Sequence, residues 1–181
     1  MDLGLRGKVA LVAGSSKGLG RAIAAELGAE GCDLVLCARS AEPVRAAAEA
    51  IAREHGVRAV GVAADVGETD EARRVVDEAM RAFGRVDVLV TNAGGPPAGA
   101  FEQIPAEAWQ KALAVLLESV LEFCRAVLPG MKERRWGRIL NVTSITVKQP
   151  VEGLMLSNSV RAAVTGFART LANEVAPFGV T

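Results

Sequence analysis

The stretch AGSSKGLGRAIA, residues 13–24, gathers residue types suited to holding a phosphate. Gly14, Gly18 and Gly20 let the backbone turn tightly and approach a ligand closely. The helix expected from Gly18 onward would open with N–H groups that have no partner within the helix, and such groups attract an anion. Ser15, Ser16, Lys17 and Leu19 complete the turn, with two hydroxyls and one cation. A glycine trio alone says little. Here it follows KVALVA (8–13), a continuous apolar run of the kind that forms a strand buried on both faces. A strand, a glycine turn and a helix in that order suit the diphosphate of a dinucleotide.

A second set of polar residues lies near the C-terminus of the sequence. TSIT (143–146) follows an apolar run, and SNS (157–159) opens a helical pattern. Ser144 and Ser157 bring hydroxyls and Asn158 an amide, so Asn158 is a candidate donor to a substrate oxygen. The same residue types also make good helix N-caps. No metal centre is visible. His55 is the single histidine and falls at the end of a polar helix. Cys32, Cys37 and Cys124 have no paired spacing, which argues against a disulfide framework and for small apolar residues.

Lys+Arg and Asp+Glu both number 21, so the formal net charge is zero. Nothing supplies the broad positive field that a nucleic-acid binder needs. No apolar run reaches the ~18 residues of a membrane span, and MDLGLRGK is not a signal sequence. A soluble cytoplasmic protein is the expectation.

These groups need a scaffold. Apolar runs at 8–13, 33–38, 57–63, 86–91 and 137–143 read as strands. Helical periodicity covers 18–31, 42–55, 68–84, about 105–130 and about 156–176. Strands alternating with helices predict an α/β fold, a Rossmann-type doubly wound parallel sheet of order 3-2-1-4-5 with helices on both faces. The 181 residues fit a single dinucleotide-binding domain. The sequence stops at FGVT just as an apolar strand would begin, which suggests that a C-terminal portion is lacking.

The spacing G-x-x-x-G-x-G resembles the short-chain dehydrogenase/reductase family, and further motifs match nearly the whole chain. They are ADV (64–66), NAG (92–94), NVTS (141–144) and RAAVTGFARTLANEVAPFGVT (161–181). The chain is identified as a divergent member resembling the 3-oxoacyl-[acyl-carrier-protein] reductases. The resemblance implies that Asp65 and Val66 contact the adenine. It implies that Asn92, Ala93 and Gly94 support the glycine turn and the cofactor. Ala13 departs from the threonine that the family often carries there. The second strand ends in Ala38, Arg39 and Ser40, with no carboxylate for ribose hydroxyls. A guanidinium suits a 2′-phosphate instead, and Lys17 adds charge, so NADP(H) is the expected cofactor. Read without a cofactor, Arg39 and Lys17 are solvated surface residues.

The resemblance further implies an oxidoreductase of small carbonyl or alcohol substrates. Ser144 stands at the family's serine. Ser157 stands at its tyrosine, Arg161 at its lysine and Leu116 at its asparagine, and the chain has no tyrosine at all. An aliphatic hydroxyl is a far weaker acid than a phenol. Arginine stays cationic and cannot join a proton relay. Two readings stay open: a divergent enzyme whose proton comes from water, Ser144 or the substrate, and a non-catalytic dinucleotide binder acting as sensor or partner subunit. Arg161 is expected to face the nicotinamide ribose, with Ser157 too far back to touch a bound carbonyl. The helix at 105–130 carries a stripe of Trp109, Leu113, Leu116, Val120, Cys124 and Val127. Ala112, Val115, Leu117, Leu121, Phe123 and Leu128 add more apolar surface than one sheet needs, which predicts a homo-oligomer, a dimer or tetramer.

Overall fold

A computed structural model describes residues 2–68 and 70–181; Met1 and Thr69, the latter within the expected helix at 68–84, lie outside the described residues. Strands β1 (Val9–Ala13), β2 (Asp33–Ala38), β3 (Ala59–Ala63), β4 (Val88–Thr91) and β5 (Arg138–Asn141) form one sheet. Its order is β3-β2-β1-β4-β5 and every pairing is parallel. This is the doubly wound, Rossmann-type α/β arrangement that the alternating pattern predicts. The strands are shorter than the apolar runs by a residue or two at some ends.

Strand periodicity explains the two layers. On β1, Ala10 and Val12 face helices α1 (Gly18–Ala29) and α2 (Ala41–His55), packing with Ala24, Val44 and Ile51. Leu11 and Ala13 face the other way, toward Val75 and Ala79 of α3 (Glu71–Phe83) and toward Phe123 and Val127. Because both faces are covered, all of β1 is buried. The three cysteines are free and buried among these layers, and burial pushes their thiols up, that of Cys37 to about 12. They are inert packing groups.

The expected helix at 105–130 is interrupted. It runs as α4 (Ala106–Leu113), one π-helical turn (Ala114–Glu118) and α5 (Ser119–Glu133). The reason is a change of partner. Ala112 and Leu116 pack on Leu156 and Val160, whereas Val120, Phe123, Cys124 and Val127 pack on the sheet. A widened turn joins the two faces without breaking the helix. Phe123 and Ala112 therefore belong to the interior, not to the surplus outer face, while Leu117, Leu121 and Leu128 stay half-buried. The last helix, α6, is Met155–Val175, and Val180 bridges in parallel to Gly137 beside β5. No helix among the described residues is long and apolar enough to cross a membrane, and no cluster of three or more His, Cys, Asp or Glu could hold a metal.

The sheet is closed at its N-terminal end by Asp87, which is fully buried. Its carboxylate accepts from Val9 N–H at 3.0 Å and from Arg85 at 2.7 Å, with Arg134 at 3.4 Å. Removing it leaves a strand N–H and two cationic groups without their acceptor. Asp87→Ala should cost about 2–4 kcal/mol of stability, read as a lower urea midpoint at unchanged slope.

Candidate active site

The turn after β1 is built by contacts too close for a side chain. Gly14 and Gly18 have φ of +60° and +58°. A Cβ on Gly20 would lie 2.3 Å from the Gly14 carbonyl oxygen, and one on Gly14 would lie 2.7 Å from Asn92 Nδ2. Asn92, just after β4, donates from Nδ2 to the carbonyls of Ala13 and Gly14 at 3.3 and 3.2 Å. These bonds brace the turn. Helix α1 then begins after Lys17 with no side-chain cap and no acidic residue in its first turn. Its opening N–H groups and positive dipole end are left for an anion, so the residues present fit a dinucleotide diphosphate.

Ser15 does not take part in that cradle. It is fully buried, and its hydroxyl donates to Val12 O at 2.7 Å and accepts from Cys37 N–H at 3.0 Å. The turn consumes this side chain to lock the end of β1 to the end of β2, which corrects the expectation that it meets the cofactor. Ser16 is half-buried, and Lys17, Gly18 and Leu19 are exposed. The register pairs Ala13 with Cys37, so Arg39 and Ser40 emerge beside the glycine turn. Arg39 and Lys17 are exposed and enter no ion pair among the described residues. Beyond β2, Asp65 accepts from Gly67 N–H at 3.1 Å and fixes the turn after β3. Val66 lines a small interior cavity of about 20 Å³ together with Ala93, Leu116 and Arg161. Gly94 stands in open space at the surface.

The second polar group gathers over the ends of β4 and β5. Ser144 is half-buried, and its Oγ accepts from Thr146 N–H at 3.3 Å. Its own O–H remains available for another acceptor. Thr146 is buried and its Oγ1 lies 3.4 Å from Ser157 Oγ. The Ser157 hydroxyl is thus turned toward the loop interior. Arg161 is 9% exposed. Its Nη1 donates to Val142 O at 3.1 Å and its Nη2 to Ala93 O at 3.4 Å. Burial pulls the guanidinium below its usual value. Asn158 is committed elsewhere: Oδ1 accepts from Val151 N–H at 3.3 Å and Nδ2 donates to Val151 O at 2.9 Å. This corrects its reading as a donor to substrate.

Comparison with known proteins settles what this geometry belongs to. The family model for short chain dehydrogenases matches residues 8–181. The chain belongs to the short chain dehydrogenase family. It is 33% identical over 180 residues to a 3-oxoacyl-[acyl-carrier-protein] reductase of Aquifex aeolicus, covering 99% of this chain and 73% of that one. The L-sorbose reductase of Gluconobacter frateurii, solved with NADPH and L-sorbose, superposes with a TM-score of 0.96 at 36% identity, over 99% of this chain and 68% of that one. A metagenomic short-chain oxidoreductase solved with NADP gives 0.92 at 33% identity, over 97% and 79%.

Sequence reasoning missed three supports of this family site. Thr146 between Ser144 and Ser157 is one. The main-chain carbonyls under Arg161 are another. The third is the bond from Thr91 Oγ1 to Asn141 Oδ1 at 2.7 Å, which ties β4 to β5. Asn141, within the quoted NVTS, and Thr146, within TSIT, carried a local signal, but neither partner was legible. The short chain dehydrogenase turn gives a direct test. Gly20→Ala forces a methyl against a carbonyl and should lower stability by about 1–3 kcal/mol. Affinity for a dinucleotide, followed by calorimetry, should fall about tenfold or more, equivalent to ~1.4 kcal/mol, since the cradle must shift.

Proposed function

We propose that the chain is an NADP(H)-dependent oxidoreductase of carbonyl and alcohol substrates, 3-oxoacyl reductase-like, working from one dinucleotide-binding domain with a degenerate catalytic tetrad. The observation that carries this reading is the bridge from Arg161 to Ala93 O and Val142 O. It holds the first turns of α6 over the same sheet edge as the glycine turn, so Ser144, Arg161 and the phosphate cradle share one side of the molecule. NADP(H) relatives in the family support the cofactor.

The residues divide the work. N–H groups of residues 16–20 hold the diphosphate, while Arg39 and Lys17 meet the 2′-phosphate with charge and, for Arg39, a fork of donors. Asp65 and Val66 border the adenine. Asn92, Ala93 and Gly94 keep the turn and the adjoining wall in place. When bound, NADP(H) supplies or accepts a hydride at the substrate carbon. Ser144 Oγ–H donates to the substrate oxygen and polarises it. Arg161 faces the nicotinamide ribose with the donors its carbonyl partners leave free, and adds positive charge as the oxygen becomes alkoxide-like. Ser157, turned onto Thr146, does not touch the carbonyl. Water delivers the proton, so the reaction forgoes the ~10²–10⁴-fold that a positioned acid contributes and keeps the gain from positioning.

A second inference concerns assembly. Leu121, half-buried on α5 and packed on none of the interior clusters, supports a homo-oligomer, a dimer or tetramer. Light scattering at micromolar concentration should report more than a monomer; a monomer would remove this inference.

The central test pairs binding with turnover. Calorimetry should give tighter binding of NADPH than NADH, with the preference lost in Arg39→Ala. Single-turnover oxidation of NADPH with a ketone panel should be slow in the parent. It should fall further in Ser144→Ala and change little in Ser157→Ala. Ser157→Tyr with Arg161→Lys restores a tunable phenol and should raise turnover by ~10²-fold or more. Intact NADPH binding with no turnover in either the parent or the double variant would overturn the enzymatic reading.

A further inference from the structure

The π-helical turn moves one main-chain donor away from its usual acceptor, and one side chain takes over. In regular winding the N–H of residue 119 would bond Val115 O. Here that N–H bonds Ala114 O, one residue further back. The hydroxyl of the same residue fills the gap: Ser119 Oγ donates to Val115 O at 2.6 Å. Ser119 is buried, so without its hydroxyl that carbonyl would have little water to turn to. Thr165 and Thr170 make bonds of the same reach, to Arg161 O at 3.2 Å and to Gly166 O at 3.1 Å. Both lie within the regular winding of α6, where the hydroxyl only supplements the main-chain donor. At Ser119 it replaces that donor.

The residues inside this wide turn touch two walls. Val115 fills the space beside Gly67, where an added Cβ would lie 2.6 Å from Val115 Cγ2. Gly67 is the residue that Asp65 holds in the turn after β3. Leu116, next in the chain, is buried against Leu156 and Val160. On α6 those two residues adjoin Ser157 and Arg161. Val115, Leu116 and Ser119 also line the small interior cavity together with Val66 and Arg161. A slip of one residue in the winding turns a side chain by about 100° around the helix axis. Val115 could not then stay on Gly67 while Leu116 stays on Leu156. Helix α5 is pinned to the sheet through Val120, Phe123 and Val127. Any slip must therefore pass toward α4 and the first turns of α6.

We propose that Ser119 is a positioning residue: its hydroxyl fixes the wide turn in register, and the wide turn holds the segment Asp65–Gly67 and the first turns of α6 at a set separation. Ser119 acts through Val115 and Leu116, not by contact with cofactor or substrate. Taking those two walls as the cofactor border and the reacting centre rests on the reading under "Proposed function"; the dependence of the winding on Ser119 does not.

The test reads winding, binding and turnover on one set of variants. In the isotope-labelled full chain, the NMR scalar coupling across the hydrogen bond of the Ser119 amide identifies the carbonyl that accepts it. In the parent this should be Ala114. In Ser119→Ala the coupling should fade or pass to Val115. Ser119→Thr keeps a hydroxyl that can reach the same carbonyl and should restore Ala114 as partner. Ser119→Cys, with a weak S–H donor, should fall between. Ser119→Ala should also weaken binding of adenosine 2′,5′-bisphosphate and of NADPH by about threefold or more. It should speed amide hydrogen exchange at residues 65–67 and lower kcat on ketones, and Ser119→Thr should recover all three. Thr170→Ala, which removes a hydroxyl bond from regular winding, should move none of them. An Ala114 coupling of full strength in Ser119→Ala overturns the proposal, as does a parent whose Ser119 amide bonds Val115. Equal losses in all three Ser119 variants overturn it too, because the donor would then make no difference. Winding that moves while bisphosphate affinity and exchange at 65–67 stay fixed overturns the link to the turn after β3. A parent that binds NADPH and never reduces a ketone sinks the carbonyl reductase reading, and the coupling, affinity and exchange measurements still decide the role of Ser119.

Discussion

A buried guanidinium resting on two main-chain carbonyls sets the geometry of the whole upper edge of this protein. Arg161 reaches from α6 to Ala93 O and Val142 O, just past the ends of β4 and β5. Parallel strands leave such carbonyls unpaired where the ladder stops, and a cation with several donors satisfies them while neutralising none of its own charge. No carboxylate pairs with Arg161 among the described residues. The charge is kept in a dry place, where its field is little screened. Both outer supports follow from this anchor. Asn92, one residue before Ala93, braces the glycine turn, and Thr143, one residue after Val142, leads into Ser144.

The parts of the site that could be read from the sequence are those whose cause is local. Gly14, Gly18 and Gly20 announce a turn because backbone conformation and close approach demand glycine there, and the contacts under Gly20 and Gly14 are that demand. The sheet order follows from buried apolar runs alternating with helices. The direction of a small side chain does not follow from its neighbours in sequence. Ser15 and Ser16 look alike in the turn, yet Ser15 is consumed by Val12 and Cys37. Asn158 looked available beside Ser157, yet it is spent on Val151, seven residues back in the chain. Partners that are main-chain atoms leave no signature, because every residue type carries them. The same blindness covers the π-helical turn: periodicity over a long apolar stripe averages across a single shift in phase.

A serine where the family resemblance implies a tyrosine also bears on what surrounds position 157. A phenol would have to project toward the substrate. The shorter hydroxyl of Ser157 folds back 3.4 Å from Thr146 Oγ1, and that contact closes the loop from inside. Ser157 forms part of the wall, while Ser144, held from Thr146 N–H, keeps its own proton free. The glycine turn, Asn92 and the cationic pair Arg39 and Lys17 are unaffected by that exchange. In the proposed reading, cofactor binding and proton delivery are therefore physically separable, with the first resting on backbone and the second on one side chain.

The widened turn at Ala114–Glu118 makes chain length a variable in its own right. Such a turn holds one residue more than the regular helix on either side of it. Deleting a residue there would restore the ordinary winding, and the flanking stretches, each already seated on its own partner, could stay where they are. What would change is the wall between them, where Leu116 lies over the small cavity beside Arg161. Insertion and deletion, usually the coarsest of genetic changes, would here act as a fine adjustment. They would resize one interior surface while the sheet, the phosphate cradle and the outer loops kept their places.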